Sequence, residues 1–466
     1  MDIWNNLKNL KVTIMGLGLN GGGVATASFF ARRGAKVTVT DTASPQVLEP
    51  SVQALSPWPN IRFVLGRHDP KDFSDADLVI KNPGVRGKNP FLDLAKRVET
   101  DISIFLQCSS NPLLAVTGSK GKSTTVTALH HILKSKWSAA TLGGNITLSP
   151  LNFLENLDGK SPVVLELSSW QLGDLSNNPV LHPKIAAVTN ILYDHMNTYA
   201  TQRDYALDKA QICRQQTSQD WLVLNGEDSF VSLFQEASKA QVVKIYPSGR
   251  PEITPPHPIA WLEGNQGYFQ IQDQRIEILP PALVISGRPF RLNCLFAGVM
   301  AHLYGMGGTE IQQALALFRG VEHRMEPFLD WKGIRFINDT AATIPEASCE
   351  SYRTLEGSLV WITGGTDKSL LMDSYQNLST PPRILCLLAG SATDRIIPIL
   401  KEKGWSWMGP YESMKTLMQE LFPLLQKGDT VLLSPGATSK QHFTNEFQRG
   451  NQFKDYARSL SQGDPL

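Results

Sequence analysis

Residues 115–125 read AVTGSKGKSTT, an apolar run that leads into a glycine- and lysine-rich loop and then a helix start. Only two residues separate Gly118 from the Gly121-Lys122-Ser123 triplet, whereas the usual phosphate-binding loop has about four. Backbone N–H groups from Gly118 to Lys122 are expected to bind phosphate oxygens, and the Ser123 hydroxyl to reach Mg²⁺. The alternative is a plain glycine-rich turn. The Ser-Thr-Thr helix start after an apolar strand favours a variant nucleotide-binding loop.

The same order of apolar strand, glycine turn and helix-like segment occurs three times. It appears as KVTIMGLGLNGGG near the start, as LLAVTGSKGKST, and as LVWITGGTDKS in the last third. Four further apolar runs end in polar or glycine residues, as buried parallel strands do, at 163–167, 185–190, 383–390 and 430–436. The sequence therefore predicts an α/β fold of open parallel sheets, with ligands at the carboxyl ends of the strands.

A chain of 466 residues is too long for one hydrophobic core, and about 150 residues per domain suggests three domains. We predict a Rossmann-like N-terminal domain, a P-loop-type central ATPase domain and a Rossmann-like C-terminal domain. Their predicted bounds are residues 1–101, 102–318 and 319–466. The proline- and polar-rich section from about 245 to 290 indicates turns and a short antiparallel excursion on the central domain.

Composition excludes several classes of protein. Lys plus Arg number 44 against 43 Asp plus Glu, a net charge of +1, so neither nucleic acid nor an anionic membrane is expected as a partner. The five cysteines are scattered without a CxxC pair, which indicates free thiols in a reducing compartment. The first residues lack a signal-peptide pattern, and no apolar run approaches about 18 residues. We expect a soluble cytoplasmic protein that is a monomer.

Polar residues follow two of the predicted strands near the phosphate-binding loop. In VVLELSSWQL, Glu166 lies at the end of an apolar strand, and Asp194 and His195 come just after IAAVTN. Each alone has an ordinary explanation as a strand-end residue or a loop histidine. Together, after consecutive strands, they predict ligands for Mg²⁺, which prefers oxygen donors. Lys209 in YALDKAQICR is either a surface lysine or, if it lies near the metal, a group that points away, binds phosphate or is chemically modified.

The first glycine loop has two interpretations. Residues 16–21 match GxGxxG, and Asp41 follows twenty residues later, where a ribose-binding acid is expected. This pattern suggests NAD, but the same geometry binds any nucleotide diphosphate, and a turn for close helix packing is a third explanation. Two nucleotide-type loops in separate domains fit a two-substrate ligase better than a dehydrogenase.

Taken together, the motifs of this chain resemble those of the Mur ligase family, the ATP-dependent enzymes that add amino acids to peptidoglycan precursors. The resemblance extends over the whole chain and rests on GLGLNG, NPGV, TGSKGKST, GGNI, ELSSWQL, DHMNTY, EHR, INDTAAT, GGTDKS, LLSPGATS and FQRGNQF. The last motifs resemble those of D-glutamate-adding members. The resemblance implies that UDP-N-acetylmuramoyl-L-alanine and D-glutamate are joined through an acyl phosphate, with ATP and two Mg²⁺ ions, for cell wall synthesis, cell shape and cell division. It also implies closure of the last domain over the central one.

The resemblance further implies roles for individual residues. ATP contacts would come from Gly118, Ser119, Lys120, Gly121, Lys122, Ser123, Thr124, Asn293, Arg324 and Asp339. Metal ligands would be Ser123, Glu166, His195 and Lys209, the last as a carbamate, and Lys122, Lys209, His195 and Glu166 would be catalytic. The UDP substrate would contact Gly18, Leu19, Asn20, Asp41, Thr42, Gly84, Asn145 and His195. D-Glutamate would contact Thr343, Lys368 and Ser439.

Three positions depart from the resembled pattern. Ala341 and Ala43 stand where similar ligases often have lysine and arginine, and residues 289–293 read PFRLN in place of HNxxN. Another Mur ligase activity and a folylpolyglutamate synthetase therefore stay open within the superfamily. A nicotinamide dehydrogenase built on GLGLNG and a catalytically silent nucleotide-binding regulator are the alternatives outside it.

Overall fold

The computed structural model describes residues 7–19, 21–85, 89–146, 149–176, 178–194, 198–252, 257–285, 287–367, 371–439 and 442–463. Three predicted site residues, Asn20, His195 and Lys368, lie outside them. The chain divides into two compact units, Met1–Leu283 with Arg288–Phe318, and Val284–Gly287 with Arg319–Leu466. Among the described residues, no helix is both long and apolar enough to cross a membrane.

The first sheet is parallel and has the strand order β3-β2-β1-β4-β5. Its strands are β1 (Lys11–Met15), β2 (Lys36–Asp41), β3 (Ile61–Leu65), β4 (Leu78–Lys81) and β5 (Val98–Glu99). Its helices are α1 (Gly22–Ala31), α2 (Pro45–Ala54), α3 (Pro70–Ser74) and α4 (Asp101–Cys108). The crossover order places the start of α1 beside the ends of β1 and β4, where a ligand of such a sheet binds.

The second sheet has nine strands in the order β14-β13-β12-β11-β10-β9-β6-β8-β7. The strands are β6 (Leu113–Thr117), β7 (Thr141–Gly144), β8 (Val163–Glu166), β9 (Ile185–Val188), β10 (Trp221–Asn225), β11 (Gln241–Tyr246), β12 (Ile259–Glu263), β13 (Gln266–Ile271) and β14 (Gln274–Glu277). The helices are α5 (Lys122–Lys134), α6 (Ser169–Asp174), α7 (Gln202–Lys209), α8 (Val231–Ala237), α9 (Arg288–Leu303) and α10 (Gly308–Ala316). Among the described strands of this sheet, only the β12-β13 and β13-β14 pairs are antiparallel, which confirms the predicted excursion.

The third sheet has the order β15-β16-β20-β17-β18-β19 and is parallel except for its first pair. The strands are β15 (Glu326–Trp331), β16 (Ile334–Asn338), β17 (Ser358–Gly364), β18 (Ile384–Leu388), β19 (Met408–Tyr411) and β20 (Asp429–Leu433). The helices are α11 (Pro345–Arg353), α12 (Asp373–Gln376), α13 (Ser391–Glu402), α14 (Met414–Leu421) and α15 (Glu446–Gln462). Short 3₁₀ helices complete the fold at Leu92–Leu94, Pro150–Asn152, Leu154–Asn156, Ala210–Ile212 and Phe422–Leu424.

One hydrophobic core joins the first two sheets into one compact unit. It contains Val12 and Val37 of the first sheet, Ala115 of the second, and Ile102 and Phe105 of the connecting helix α4. Removing this apolar surface from water is the main term that holds the two sheets together. Because the two sheets share this core, the two domains predicted from the sequence form one compact unit.

The third predicted glycine loop differs from the first two. Strand β17 ends at Gly364, and the next described helix is α12, which has only four residues. The sequence pattern of a strand and a glycine turn was thus correct, whereas the helix expected after the turn is short. Its Gly364 and Gly365 adopt positive φ, +94° and +134°, at the end of β17.

Candidate functional site

The loop between β6 and α5 turns through two glycines in backbone conformations that other residues rarely adopt. Gly118 has φ +142° and Gly121 has φ +85°. Gly121 is the N-cap of α5 and supplies no side-chain cap, whereas α4, α6 and α7 each begin with a capping box. Within the described residues, the first turn of α5 therefore keeps N–H donors for an anion.

Both glycines lie too close to neighbouring side chains to carry a Cβ. A Cβ on Gly118 would lie 2.0 Å from Thr189 Oγ1, and one on Gly121 would lie 2.3 Å from Asn293 Oδ1. Asn293 belongs to α9. The structure thus places Asn293, which is predicted to contact ATP, directly against the loop, although the two are far apart in the sequence.

Gly121→Ala is expected to destabilise the protein more than Gly66→Ala. Both positions have nearly the same φ, +85° and +81°, but nothing lies within 4 Å of a Cβ on Gly66. The left-handed backbone costs an alanine about 1–2 kcal/mol at either position. Displacing Asn293 adds about 1–3 kcal/mol at Gly121 alone. Urea unfolding of the two variants measures the difference, and equal losses would contradict this account of the loop.

Asn190, which follows β9, accepts hydrogen bonds from two backbone N–H groups of the loop. Its carbonyl oxygen accepts the N–H of Ser119 at 2.8 Å, and its side-chain oxygen accepts the N–H of Lys120 at 2.9 Å. The expectation that every N–H from Gly118 to Lys122 faces phosphate is therefore wrong for these two. The reason is that a short loop is fixed by its neighbouring strand and offers fewer free donors than a longer one.

Two lysine side chains converge on one carbonyl oxygen of this loop. Lys122 Nζ donates to the carbonyl of Gly118 at 2.9 Å and to that of Ser119 at 3.0 Å. Lys209 Nζ donates to the same Gly118 carbonyl at 3.0 Å. The loop therefore places two lysine nitrogens where a polyphosphate would lie.

Lys209 is a buried amine with little compensation for its charge. Its side chain ends α7 and is 1% exposed. Burial lowers the pKa of Lys209 well below its usual range, and the nearby Lys122 lowers it further, while Asp194, Glu166 and Asp208 oppose the shift. A surface lysine was one prediction, and the structure excludes it. A lowered pKa favours the neutral amine, which is the nucleophilic form of lysine.

Glu166 ends β8, directly beside β6, where it pairs with Val116. It is 1% exposed. Asn145 Nδ2 donates to Glu166 Oε1 at 2.9 Å, while Oε2 is buried without a hydrogen-bond partner among the described residues. A carboxylate oxygen left in this state is costly unless a cation or donor binds it.

The strand order brings the two predicted groups of metal ligands to either side of the loop. Strands β8 and β9 both pair with β6, so Glu166 and Asp194 flank the loop at the same sheet edge. Lys120 Nζ lies 3.5 Å from Asp194 Oδ2. The described residues contain no group of three or more His, Cys, Asp or Glu side chains arranged for a metal. His195 lies outside them.

Tyr205 is a site residue that the sequence did not reveal. It is buried one helical turn before Lys209, its ring centroid lies 4.5 Å from Lys209 Nζ, and Ser119 Oγ donates to its hydroxyl at 3.2 Å. It therefore fixes both the amine and the loop. The spacing of four residues on α7 is the sequence signal that could have indicated it.

The first glycine loop resembles the second in its local geometry. Gly21 has φ +81° and is the N-cap of α1, again without a side-chain cap. Asp41 Oδ2 accepts the N–H groups of Leu17 at 2.8 Å and Gly18 at 3.1 Å. Asp41 was expected to bind ribose, whereas its described contacts shape the loop. Thr42 beside it is exposed.

A cavity of about 360 Å³ connects this loop with the second sheet. Its lining includes Gly18 and Leu19 from the first loop, Gly84 after β4, and Asn145 beside Glu166. Four residues predicted for the UDP substrate thus border one space. An elongated ligand held there would extend from the first glycine loop toward the carboxylate of Glu166.

The second compact unit positions its own predicted residues at the ends of β16 and β20. Asp339 is buried, and its carboxylate accepts Ser434 Oγ at 2.7 Å and the Met325 N–H at 3.0 Å. Burial raises the pKa of Asp339. Arg324 is exposed nearby. These contacts hold the Asp339 carboxylate within its own loop.

The loops that carry Thr343 and Ser439 adjoin each other. The Gly436 N–H donates to the Ala342 carbonyl at 2.8 Å. Arg449 is fully buried and binds both loops, through the Thr340 carbonyl at 3.0 Å and the Ala437 carbonyl at 3.1 Å. Burial lowers the pKa of Arg449 to about 10, so it stays charged. The sequence motif FQRGNQF contained Arg449 without indicating this role.

Two family models match the chain. The one described as "Mur ligase middle domain" matches residues 116–278, and the one described as "Mur ligase MurD-like, N-terminal domain" matches residues 10–104. A protein of Borreliella burgdorferi (strain B31) named UDP-N-acetylmuramoylalanine–D-glutamate ligase is 39% identical over 464 residues, covering 98% of this chain and 99% of that protein. One of the same name from Treponema pallidum (strain Nichols) is 36% identical, with coverage of 97% and 98%.

Solved structures are similar in fold. UDP-N-acetylmuramate-alanine ligase from Thermotoga maritima has a TM-score of 0.60 at 19% identity, covering 97% of this chain and all of that one. MurF from Acinetobacter baumannii has a TM-score of 0.56 at 18% identity, covering 77% and 79%. MurF from Thermotoga maritima, solved in complex with ADP, has a TM-score of 0.53 at 17% identity, covering 83% and 90%. The similarity supports the three-domain architecture.

Proposed function

This chain belongs to the Mur ligase family, and we propose that it joins D-glutamate to UDP-N-acetylmuramoyl-L-alanine while ATP is converted to ADP and phosphate. One observation carries the proposal: Lys122 and the buried Lys209 meet at the Gly118 carbonyl, and Glu166, at the end of the neighbouring strand β8, has a buried carboxylate oxygen without a partner among the described residues. This arrangement suits phosphoryl transfer to a carboxylate. We further propose that the protein acts as a cytoplasmic monomer in peptidoglycan precursor synthesis.

The loop 118–124 would bind the phosphates of ATP. Gly121, Ser123 and Thr124 lie at the uncapped start of α5, where the helix dipole favours negative charge. Lys122 would exchange its carbonyl contacts for the β- and γ-phosphate oxygens. Asn293, which lies against Gly121, is well placed to contact the nucleotide. Ser119 and Lys120 would contribute through the loop that Asn190 fixes.

The described residues fit a magnesium site. Glu166 Oε2 is a buried carboxylate oxygen without a described partner, and Ser123 offers a hydroxyl at the start of α5. Mg²⁺ usually keeps several water ligands and needs few protein groups, in keeping with the absence of a described cluster of three such ligands. When bound, Mg²⁺ neutralises charge on the transferring phosphoryl group. The sequence adds His195 as a further candidate ligand for a second ion.

Lys209 would act after reaction with carbon dioxide. The lone pair of the neutral amine attacks the carbon of CO₂, and the nitrogen loses one proton to solvent, which gives a carbamate anion. The lowered pKa of Lys209 favours the neutral amine that this step needs. An ammonium at this position would repel Mg²⁺, whereas a carbamate supplies oxygen ligands.

The UDP substrate would lie in the cavity beside the first glycine loop. We propose that Gly18, Leu19, Asn20, Asp41 and Thr42 hold its uridine diphosphate, and that Gly84, Asn145 and His195 contact its sugar and peptide. The uncapped start of α1 offers N–H donors to the diphosphate. The peptide carboxylate would then point toward Glu166.

The second compact unit would recognise D-glutamate. We propose that Thr343, Lys368 and Ser439 contact it, and that Arg324 and Asp339 contact ATP. Arg449 supports this role because it fixes the two loops that carry Thr343 and Ser439. The domain bounds 1–101, 102–318 and 319–466 belong to the same proposal.

The proposed chemistry has two steps. The substrate carboxylate oxygen attacks the γ-phosphorus of ATP, which gives an acyl phosphate and ADP. The amine of D-glutamate then attacks the acyl carbon, loses a proton, and expels phosphate to form the amide. Lys122 stabilises charge on the transferring phosphoryl group, and a closed site keeps water from the acyl phosphate.

Phosphate release from ATP tests this proposal. Purified protein with Mg²⁺ and UDP-N-acetylmuramoyl-L-alanine receives D-glutamate, L-glutamate, L-lysine or glycine in parallel reactions. We expect release that requires both the UDP substrate and D-glutamate. Equal release with another amino acid would contradict the proposed specificity, and no release with any amino acid would contradict the ligase activity.

A further inference from the structure

Asp101 is a buried carboxylate that borders the substrate cavity. It is the first residue of α4, it is 8% exposed, and it belongs to the cavity lining. Ser149 Oγ donates to its Oδ2 at 2.8 Å, and the Ile102 N–H donates to its Oδ1 at 2.9 Å. Two carboxylate oxygens offer about four acceptor positions in total. The described contacts therefore leave Asp101 able to accept further hydrogen bonds.

The cavity has two chemically different ends. One is formed by Gly18 and Leu19 of the first glycine loop, beside the uncapped start of α1. The other is formed by Asn145, whose amide binds Glu166. Because the reacting carboxylate has to reach Glu166, the second end receives the peptide, and the first receives the diphosphate.

The position of Asp101 fits the second end of the cavity. Its partner Ser149 borders the cavity as well and follows Asn145 closely in the chain. A carboxylate there would repel a diphosphate, and burial, which raises the pKa of Asp101, makes an unpaired charge unfavourable. Hydroxyl and amide N–H donors, in contrast, satisfy a buried carboxyl group in either protonation state.

We propose that Asp101 is a specificity-determining residue: its carboxyl group accepts a hydrogen bond from a hydroxyl or amide N–H of the sugar-peptide part of the UDP substrate. Ser149 orients the group. This inference rests on the proposed function, since it assigns the cavity to that substrate. Asp101 distinguishes the complete substrate from UDP, which has ribose hydroxyls but lacks the N-acetylmuramoyl and alanyl donors.

Calorimetric titration of Asp101→Asn with two probes tests the inference. The variant is expected to bind UDP as the wild type does, and to bind UDP-N-acetylmuramoyl-L-alanine with a dissociation constant about 10- to 100-fold higher, because the amide replaces one of the two acceptor oxygens with an N–H donor. Ser149→Ala is expected to shift the same constant in the same direction by a smaller factor. Asp75→Asn, a change at an exposed residue that follows α3, is the matched control and should bind both probes normally.

Three results of these titrations would contradict either the inference or the function on which it rests. Unchanged binding of both probes by Asp101→Asn would overturn the inference. An equal loss for UDP and the full substrate would also overturn it, because it would show that Asp101 only supports the fold of the cavity. Wild-type protein that binds neither probe would contradict the proposed function, and the inference with it.

Discussion

Replacing Lys122 with methionine is expected to lower the turnover number by about 10³-fold, the range found when a group that stabilises transition-state charge is removed. In the structure the ammonium group binds the Gly118 and Ser119 carbonyls at 2.9 and 3.0 Å. It is therefore already positioned above the loop that would receive the phosphates. Methionine keeps much of the length and apolar bulk of lysine and removes the charge.

Lys134→Met serves as the matched control for Lys122→Met. Lys134 is exposed at the other end of the same helix, α5, so this change removes a positive charge without touching the loop. Initial rates of ADP formation at saturating substrates measure both variants. A Lys122→Met protein with near-normal turnover would contradict the role of this loop, and would favour a regulator that binds nucleotide without catalysis.

Lys209→Met is expected to reduce turnover by at least about 10²-fold, because it removes the group proposed to become a metal-binding carbamate. The wild-type enzyme should also lose activity when CO₂ and bicarbonate are removed, and regain it when bicarbonate returns. The variant should not respond. Incubation with ¹³C-bicarbonate should give a carbamate resonance in the wild type alone.

Lys209 also predicts a dependence of stability on pH. Its folded pKa is lowered by burial, so between that pKa and the usual lysine value near 10.4 the unfolded chain holds one more proton. Stability without bound CO₂ should then rise with pH across this window. Urea unfolding in CO₂-free buffer measures this rise, and Lys209→Met should lack it.

Lys454→Met is the control for the loss of a buried lysine. Its side chain is 7% exposed, and its ammonium contacts Glu322 at 2.6 Å and Glu326 at 3.2 Å. Breaking these pairs should lower stability without removing the response of turnover to bicarbonate. Bicarbonate-independent turnover in the wild type would contradict the proposed modification of Lys209.

The sequence predicted those parts of the fold that depend on local pattern. Apolar runs that end in glycine marked β1 and β6, and polar strand ends marked Glu166 and Asp194 at one sheet edge. Parallel strands are buried on both faces, so their composition alone identifies them. A family resemblance then suggested roles that spacing could not supply.

The sequence pattern did not predict contacts between segments that are far apart in the chain. Asn190 binds Ser119 and Lys120 across about 70 residues, and Arg449 binds Thr340 across about 109. Each depends on how strands are ordered in a sheet, which no local pattern encodes. The sequence also did not indicate a binding role for Asp101, because a carboxylate at a helix start is usually an ordinary surface residue.

The most direct test of the proposed reaction follows the oxygen atoms of the substrate. UDP-N-acetylmuramoyl-L-alanine labelled with ¹⁸O in its alanine carboxylate is incubated with protein, ATP, Mg²⁺ and D-glutamate. The masses of the products are then measured by mass spectrometry. Carboxylate phosphorylation predicts a D-glutamate amide and one ¹⁸O atom in the released phosphate for each amide formed. Amide with unlabelled phosphate, or phosphate release without amide, would contradict the proposed reaction.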